Sequence, residues 1–167
     1  MDRCRWWRSQ LSRLGGRYEA DDVLATAGHQ GEKYFKEVLL GTPDKDNLQC
    51  ITEKCKILKI GVSKNPDKII GLPELYADHG FTPAQFLDFQ TLIGDKTDNV
   101  VGVTTPAPAK KMILEYGSLK EWLMRNPDYV EENGKVLMRT RKLVKLVKDC
   151  FELDPDRYSV TLLEILS

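Results

Sequence analysis

The first half of the chain alternates a helical pattern with short apolar runs. Residues 20–29 carry apolar side chains along one side, which predicts a helix. Residues 38–40 form an apolar run that stops at Gly41, as expected for a buried parallel strand. Residues 55–60 alternate apolar side chains with lysines and predict a second strand. Helices that alternate with strands are typical of the α/β class, in which helices cover a parallel sheet.

The second half of the chain, from Leu72 onward, shows helical patterns alone. Thr82 begins a capping-box sequence, and the helix that it opens has one apolar side and stops at Gly94. Further helices are predicted at residues 109–116 and from Ser118 onward. We therefore expect this half to be entirely helical.

The last long helix is predicted to follow Gly134 and to continue to Phe151, with one apolar side. The opposite side is basic and consists of Lys135, Arg139, Arg141, Lys142, Lys145 and Lys148. Two interpretations stay open for these residues. They form a solvated face, as charge runs on helices usually do, or they contact phosphate groups.

Composition narrows the class of protein without deciding its partner. The 167 residues fit one domain with a sizeable core, and 41% hydrophobic with 30% charged residues is typical of a globular protein. No apolar run approaches the roughly 20 residues that cross a bilayer, and the first residues lack the apolar core of a signal peptide. We therefore expect no membrane association and no secretion. The net charge is zero, with 25 basic and 25 acidic residues, so charge neither favours nor excludes a nucleic-acid partner.

The four cysteines are scattered along the chain and form no CxxC pair. Neither of the two histidines lies near a cysteine pair, so a zinc site is not expected. We interpret the cysteines as reduced thiols of a cytoplasmic protein.

Three acidic clusters contain the candidate chemistry. They are Glu19, Asp21 and Asp22 at the start of the first helix, Asp44 and Asp46 just past the first strand, and Asp95 and Asp98 just past Gly94. Each cluster also has an ordinary structural explanation, because acids favour helix N-termini and aspartate is common in turns.

Taken together, the clusters predict a metal centre. Ligands bind outside the carboxyl ends of the strands of an α/β sheet, where Asp44 and Asp46 would lie. Asp95 and Asp98 are three residues apart and would face one way in a helical turn. Carboxylate oxygens are the ligands that Mg²⁺ and Mn²⁺ prefer, and converging carboxylates repel each other without a cation. Two such ions about 4 Å apart can activate a water and stabilise the leaving oxygen of a phosphodiester.

Three segments resemble the motifs of one nuclease family. Residues 18–25 resemble the EADDV helix of the 5′→3′ exonucleases and flap endonucleases, residues 43–49 their DKD..Q strand end, and residues 88–103 their GD.SDNIPGV segment. The motifs occur in the family's order, and the likeness extends over residues 18–148. The chain is therefore identified as a member of this family, of the type found in the nuclease domain of bacterial DNA polymerase I.

The resemblance implies an α/β fold with a partial parallel sheet of the PIN-like or resolvase-like kind, followed by an all-helical region of the helix–hairpin–helix (H3TH-like) type. We accordingly expect a partial α/β metal-binding nuclease region at residues 1–71. A helical DNA-binding region is expected at residues 72–167.

The resemblance also implies a 5′→3′ exonuclease or structure-specific flap nuclease that hydrolyses DNA phosphodiesters by a two-metal mechanism in DNA replication and repair. Two Mg²⁺ or Mn²⁺ ions are the implied cofactors, and DNA with 5′ ends or flaps is the implied partner, in the cytoplasm at the nucleoid. The implied catalytic residues are Asp21, Asp22, Asp44 and Asp46, and the implied metal ligands are these four with Glu19, Asp95 and Asp98. The candidate DNA-binding residues are Gly102, Lys110, Lys111, Arg139 and Lys142.

The sequence departs from the family before the EADDV helix. There the family has a strand with a metal-binding aspartate and a basic helical arch, whereas here residues 1–17 precede the helix with Asp2 as their only acid. We therefore expect a sheet that lacks strands and exposes an edge and apolar surface, and weak or no activity from this chain alone. A split gene, a truncated gene model, a decayed copy and a separate N-terminal nuclease half or polymerase partner all stay open as explanations.

The sequence also departs from the family at the hairpin, which usually reads GVxGIGxKTA. Here the Gly-x-Gly is absent, and Pro106 and Pro108 lack the N–H groups that would approach a phosphate. The backbone cradle is therefore weakened, and a potassium ion at the hairpin stays an open alternative. Lys110 and Lys111 could still contact a phosphate.

Three functions compete. The first is an active nuclease, which the retained acids favour, and the second is a catalytically weak or inactive DNA-binding module of the same family. The third is an unrelated metal-binding or interaction protein. Salt-dependent DNA binding would separate the third from the other two.

Overall fold

The computed structural model describes residues 18–59, 61 and 66–154 of the chain. The first half contains helix α1 (Ala20–Gly31), strand β1 (Val38–Gly41), a 3₁₀ helix (Lys45–Cys50), strand β2 (Cys55–Lys59) and strand β3 (Lys68–Ile70). The second half contains helices α2 (Leu72–His79) and α3 (Pro83–Ile93), strands β4 (Gly94–Asp95) and β5 (Val100–Val101), and helices α4 (Pro106–Tyr116), α5 (Leu119–Arg125) and α6 (Pro127–Val144). None of the helices within the described ranges offers an apolar stretch of membrane-spanning length.

A small mixed sheet forms the α/β half. Strands β1 and β2 are parallel, with Val38 opposite Cys55, and β3 pairs with the other side of β2 in the antiparallel direction. The predicted parallel pair is confirmed, whereas β3 was not predicted and Ile60 lies outside the described residues. The expectation that β1 is buried on both faces is wrong, because Leu40 is buried while Leu39 is 45% exposed. Strand β1 is also an edge strand among the described residues, so the backbone groups along one of its edges have no strand partner there.

One hydrophobic core joins the sheet to the helices. Its buried members include Ala25, Leu40, Ile57, Leu75, Phe86, Leu92, Ile113, Trp122 and Leu137, from both halves of the chain. The 3₁₀ helix contributes Leu48 and Cys50 to the same core. The acidic segment after β1 is therefore held against α1 and α3 by apolar burial. The boundary expected at residues 71 and 72 stays a prediction.

The prediction that the second half is entirely helical is wrong. Strands β4 and β5 form a hairpin directly after α3, in which Gly94 pairs with Val101 and Asp95 with Val100. Gly94 ends α3, as predicted, with a positive φ of 70°. The hairpin packs on the end of α3, because the N–H of Val103 donates to the carbonyl of Leu92 at 2.8 Å.

Helix α6 differs from its prediction at both ends. It begins at Pro127, earlier than expected, and Gly134 lies inside it. It ends at Val144, so the predicted continuation to Phe151 is wrong. Pro at the first helical position explains the early start, because the missing N–H has no helical partner there. The predicted division into apolar and basic sides also needs correction, because Leu143 is 58% exposed whereas Arg141 reaches a buried carboxylate.

Residues 145–154, here called the C-terminal strap, leave the helix and follow α1. Asp22, Thr26 and Gln30 are spaced four residues apart, so they line one side of α1. Three backbone N–H groups of the strap donate to these side chains: Val147 to Asp22 at 2.8 Å, Cys150 to Thr26 at 3.1 Å, and Leu153 to Gln30 at 2.6 Å. These long-range bonds replace the helical ones that the periodicity predicted.

Asp88 on α3 joins three helices of the second half. Its side chain is nearly buried and accepts a bond from the Arg141 guanidinium of α6 at 2.6 Å. Its other oxygen accepts from the N–H of Leu119, at the start of α5, at 2.9 Å. The carboxylate thus pairs a charge and satisfies a helix N-terminus at once.

We expect Asp88→Ala to lower the free energy of unfolding by about 2 kcal/mol, because it removes the ion pair of Arg141 and leaves the buried N–H of Leu119 without an acceptor. Urea denaturation followed by circular dichroism measures the change. Asp78→Ala is the matched control, since it breaks an exposed pair with Lys68 and should have little effect. Equal midpoints for the two variants would contradict the role given to Asp88.

Candidate metal centre

Three elements bring the acidic clusters together. Asp21 lies in the first turn of α1, and Asp46 lies in the first turn of the 3₁₀ helix that follows β1. Asp44 caps that 3₁₀ helix, because its Oδ1 accepts the N–H of Asp46 at 2.9 Å. Asp95 and Asp98 come from the β4–β5 hairpin. Acids that are up to 77 residues apart in sequence thus share one region of the fold (from residue 21 to residue 98).

Asp46, Asp95 and Asp98 form the tightest group. Each offers one carboxylate oxygen, and these oxygens all lie within 4.8 Å of one another. Asp95 is buried at 6% exposure, Asp46 is partly buried and Asp98 is exposed, so the group opens to solvent on one side. Asp95 and Asp98 lie together, as expected, but the hairpin and its turn bring them together and not a turn of helix.

Asp21 and Asp44 lie in the same electrostatic field. Burial raises the pKa of Asp21 above its usual value, although the bond that Asn47 Nδ2 donates to it at 2.8 Å acts in the opposite direction. The nearby charges of Asp44, Asp22 and Asp98 raise that pKa further. Burial, with the charge of Asp44 next in size, raises the pKa of Asp46 to about 6. These shifts mark crowded carboxylates that an added cation would stabilise.

Lys45 is the one positive side chain that the described residues place in direct contact with this group. Its ammonium lies 2.9 Å from Asp95 Oδ2, and this contact holds the pKa of Asp95 below its usual value. The Lys45 side chain is 60% exposed, so it is free to move away from Asp95. One lysine cannot neutralise the three converging aspartates, and an all-carboxylate site fits hard divalent cations such as Mg²⁺ and Mn²⁺.

Asp22 and Glu19 are placed differently from the other predicted ligands. Both oxygens of Asp22 accept backbone N–H groups, from Val147 at 2.8 Å and from Glu19 at 3.2 Å. The Glu19 side chain is exposed at the N-terminal end of α1. Asp22 therefore has a structural task in holding the C-terminal strap, and its ligand role stays a prediction, as does that of Glu19.

Sequence reasoning missed three side chains that contact the acids: Lys45, Asn47 and Gln90. Asn47 is fully buried and donates to Asp21, while its Oδ1 lacks a hydrogen-bond partner among the described residues. Gln90 is buried on α3 and donates to Asp46. Lys45 and Asn47 flank Asp46 in sequence, which was a usable signal, whereas Gln90 is 44 residues away and gave none.

The candidate DNA-binding residues fall in separate places. Gly102 packs against the end of α3, where an added Cβ would lie 2.1 Å from the carbonyl carbon of Ile93. Lys110 places its ammonium 5.6 Å from the ring centroid of Phe81, and Lys111 is exposed on the same helix. Arg139 lines a groove of about 370 Å³ beside β5. Lys142 lines another groove, of about 520 Å³, beside the C-terminal strap.

Buried cysteines offer no alternative nucleophile. Burial raises the pKa of Cys50 to about 11 and that of Cys55 to about 12, so both thiols are protonated at neutral pH. Cys50, Cys55 and Cys150 are free thiols, and Cys4 lies outside the described residues. The chemistry of the site therefore rests on its carboxylates.

Comparison with known proteins identifies relatives by sequence. The thermostable DNA polymerase I of Thermus thermophilus is 38% identical over 117 residues, which make up 68% of this chain and 13% of that protein. DNA polymerase I of Mycobacterium bovis is 35% identical over 150 residues, which make up 79% of this chain and 16% of that protein. The chain thus spans a small part of the length of these curated relatives. No protein-family model matches it.

Solved structures agree in fold. The bacteriophage T5 5′-exonuclease with bound zinc matches with a TM-score of 0.67 and 23% identity, over 80% of this chain and 52% of that one. The bacteriophage T5 flap endonuclease in complex with DNA and metal ions also matches with a TM-score of 0.67, at 22% identity and with 80% and 52% coverage. At this level of identity the likeness establishes a shared α/β nuclease fold, as predicted.

Proposed function

The chain belongs to the family of 5′→3′ exonucleases and flap endonucleases that includes the nuclease region of DNA polymerase I, and from this premise we propose that it hydrolyses DNA phosphodiesters at 5′ ends and flaps. The reaction proposed is metal-dependent hydrolysis at the carboxylate centre. The cations proposed are two Mg²⁺ or Mn²⁺ ions. The relatives support this proposal, and the chain spans only part of their length.

The convergence of Asp46, Asp95 and Asp98 carries the proposal. Three carboxylates from two distant stretches bring their oxygens within 4.8 Å, which costs electrostatic energy unless a cation is bound. A fold does not need such an arrangement for its stability. The same centre raises the pKa of Asp46 to about 6, mainly by burial, which is a further sign of a functional site.

We assign roles to the chain's own residues. The metal ligands proposed are Glu19, Asp21, Asp22, Asp44, Asp46, Asp95 and Asp98, with Asp21, Asp22, Asp44 and Asp46 closest to the reaction. A bound divalent cation supplies Lewis-acid activation of water and stabilises charge on the leaving oxygen. Asn47 and Gln90 orient Asp21 and Asp46 by hydrogen bonds. Lys45, released from Asp95, can contact a substrate phosphate.

The DNA contacts proposed are Gly102, Lys110, Lys111, Arg139 and Lys142. The T5 flap endonuclease of the same fold has been solved with DNA and metal ions, which supports a DNA partner for this chain. Lys142 shares its groove with Lys145 and Lys148, so a phosphate backbone would meet several cations there. We place the activity in DNA replication and repair, in the cytoplasm at the nucleoid, with a separate N-terminal nuclease half or a polymerase as a further partner.

Cleavage of a labelled 5′-flap DNA tests the proposal. From this chain alone we expect weak cleavage that requires Mg²⁺ or Mn²⁺ and that EDTA stops. Asp21→Asn and Asp98→Asn should each slow it about 100-fold, because each removes a charge that holds the cation. Asp78→Asn, at an exposed acid paired with Lys68, is the control and should cleave at the parent rate.

Two results would count against this assignment. If the Asp21 and Asp98 variants cleave as fast as the parent, the activity belongs to a contaminant. If the parent binds DNA and Mn²⁺ but does not cleave, the chain is a non-catalytic module of the family. DNA binding should weaken steeply with salt in either case.

A further inference from the structure

A line of buried side-chain amides runs from the carboxylate centre to the end of helix α6. Gln90 on α3 donates from Nε2 to Asp46 Oδ1 at 2.5 Å. Gln49, near the end of the 3₁₀ helix, donates from Nε2 to Gln90 Oε1 at 3.0 Å and to the carbonyl oxygen of Val144 at 2.7 Å. Gln49 and Gln90 are 7% and 4% exposed. An unbroken series of hydrogen bonds therefore links a backbone carbonyl to a predicted metal ligand.

Elementary chemistry fixes the orientation of both amides. The carbonyl of Val144 can only accept, so the Gln49 atom that faces it must be the NH₂ group. The same NH₂ faces Gln90, whose atom at that point must be the acceptor Oε1. Gln90 is then left with its NH₂ towards Asp46. Flipping either amide would place two acceptors or two donors against each other. Because the site is buried, water could not supply the missing hydrogen bonds.

We propose that Gln49 and Gln90 are positioning residues of the metal centre, forming a directed line of donors that fixes one oxygen of Asp46 and leaves the other for a divalent cation. The inference rests on the proposed metal-dependent function. It concerns two residues that lie behind the acids and need not touch the cation or DNA.

The physical gain is preorganisation. Asp46 faces the charges of Asp44 and Asp95, which would drive its carboxylate away from the centre. A donated bond at a fixed place holds the carboxylate against that repulsion, so less ordering remains for the binding step. Gln49 also accepts the N–H of Leu146 at 3.4 Å, so its side-chain amide hydrogen-bonds the backbone at two points around the C-terminal end of α6.

The line also connects the acids to the helix that carries Arg139 and Lys142, two candidate DNA contacts. Val144 is the last residue of α6, and its carbonyl has no helical donor there. Gln49 supplies that donor. A displacement of α6 would therefore be transmitted to Asp46 through three hydrogen bonds, without any change in the acids themselves.

A double-mutant cycle on the full chain tests the proposal, with Mn²⁺ affinity measured by isothermal titration calorimetry. Methionine matches the length of glutamine and lacks its donor, so Gln90→Met is expected to raise the Kd for Mn²⁺ about tenfold. Gln49→Met, which does not touch Asp46, should weaken binding in the same direction. The double variant should bind no more weakly than Gln90→Met alone, because both changes break the same line.

Gln30→Met is the matched control. Gln30 also hydrogen-bonds the C-terminal strap through both amide atoms, to Phe151 and Leu153, but has no contact with the line. It should lose stability and keep its Mn²⁺ affinity within about twofold. This control separates loss of positioning from general loosening of the fold.

The outcomes separate this inference from the function on which it rests. Failure of the parent chain to bind Mn²⁺ would overturn the proposed function itself. Normal Mn²⁺ binding by Gln90→Met, or additive losses in the double variant, would overturn the positioning line and leave the function intact. Should Gln49→Met fail to fold, ¹⁵N spectra of the parent decide: the side-chain amide of Gln90 must shift on addition of Mg²⁺ while that of Gln30 does not, and an unmoved Gln90 signal overturns the proposal.

Discussion

Gly102→Ala is expected to lower the free energy of unfolding by about 4 kcal/mol or more, and to abolish Mn²⁺ binding in whatever fraction stays folded. An added Cβ would lie 2.1 Å from the carbonyl carbon of Ile93 and 2.2 Å from its oxygen. These are backbone atoms at the end of α3, so no rotamer change can relieve the contact. For a domain whose total stability is about 5–15 kcal/mol, the loss is a large fraction.

A displaced hairpin should also disrupt the metal centre, because the hairpin contains two of its acids, Asp95 and Asp98. Gly102 follows β5 and rests on the end of α3, and the same packing sets Asp95 against Asp46. Gly94 meets an equivalent restriction, since its φ is 70° and its Cβ would lie 2.3 Å from the carbonyl oxygen of Val100. The hairpin is thus held by two glycines at positions where no side chain fits.

Gly41→Ala is the matched control for Gly102→Ala. Gly41 ends β1, and an added Cβ there would meet nothing within 4 Å. We expect its free energy of unfolding to change by less than about 0.5 kcal/mol. Urea denaturation of the three proteins measures both effects, and a Gly102→Ala midpoint equal to that of Gly41→Ala would refute the close approach described here.

Asp46→Asn is expected to change stability and activity in opposite directions. Without metal, the variant should be more stable than the parent at pH 7 by about 1–2 kcal/mol, after allowance for solvent screening at this partly buried position. The reason is that burial and the charge of Asp44 raise the pKa of Asp46 to about 6, so its ionisation opposes folding. Cleavage of a 5′ flap should fall at least about 1000-fold, because the variant loses a charge at the tightest point of the centre.

The dependence of this stability gain on pH follows from its sign. The folded-state pKa of about 6 lies above the usual value of 3.8. As pH rises from about 4 to 6, the unfolded chain releases this proton before the folded chain does, and the parent loses stability. The advantage of Asp46→Asn should therefore be small near pH 4 and complete at pH 7.

Thermal unfolding in EDTA at several pH values, followed by unfolding with Mn²⁺, measures both halves of the prediction. Mn²⁺ should stabilise the parent and leave Asp46→Asn unchanged. Asp78→Asn serves as the control, because Lys68 holds the pKa of Asp78 below its usual value and the pair is exposed. A parent that is as stable as Asp46→Asn at pH 7 without metal would contradict the crowding of carboxylates at this site.

The local sequence predicted the structure correctly where the residues that contact each other lie close together along the chain. The cap at Thr82 is an example, since Thr82 and Gln85 exchange hydrogen bonds three residues apart. Gly94 ends its helix as predicted, and β1 and β2 pair in parallel. The motif order also identified the family, because each motif is a short run of letters. The caps, the strands and the motifs depend on the spacing of residues within a single turn or strand.

The tertiary structure decided which distant groups meet. Gln90 contacts Asp46 across 44 residues, and Val147 contacts Asp22 across 125. The helical period of residues 145–151 did not indicate that polar side chains of α1 would accept hydrogen bonds from the backbone N–H groups of this segment. Likewise, a three-residue spacing suggested a helical turn for Asp95 and Asp98, whereas a hairpin brings them together.

The sequence alone thus determined the cap at Thr82, the end of α3 at Gly94, the positions of β1 and β2 and the identity of the acids, since those follow from neighbours in the chain. The partners of those acids, the end of α6 and the place of the hairpin were settled only by folding. The physical reason is that a buried donor or acceptor takes whichever partner the packed core brings within reach, and that choice has no counterpart in the local pattern.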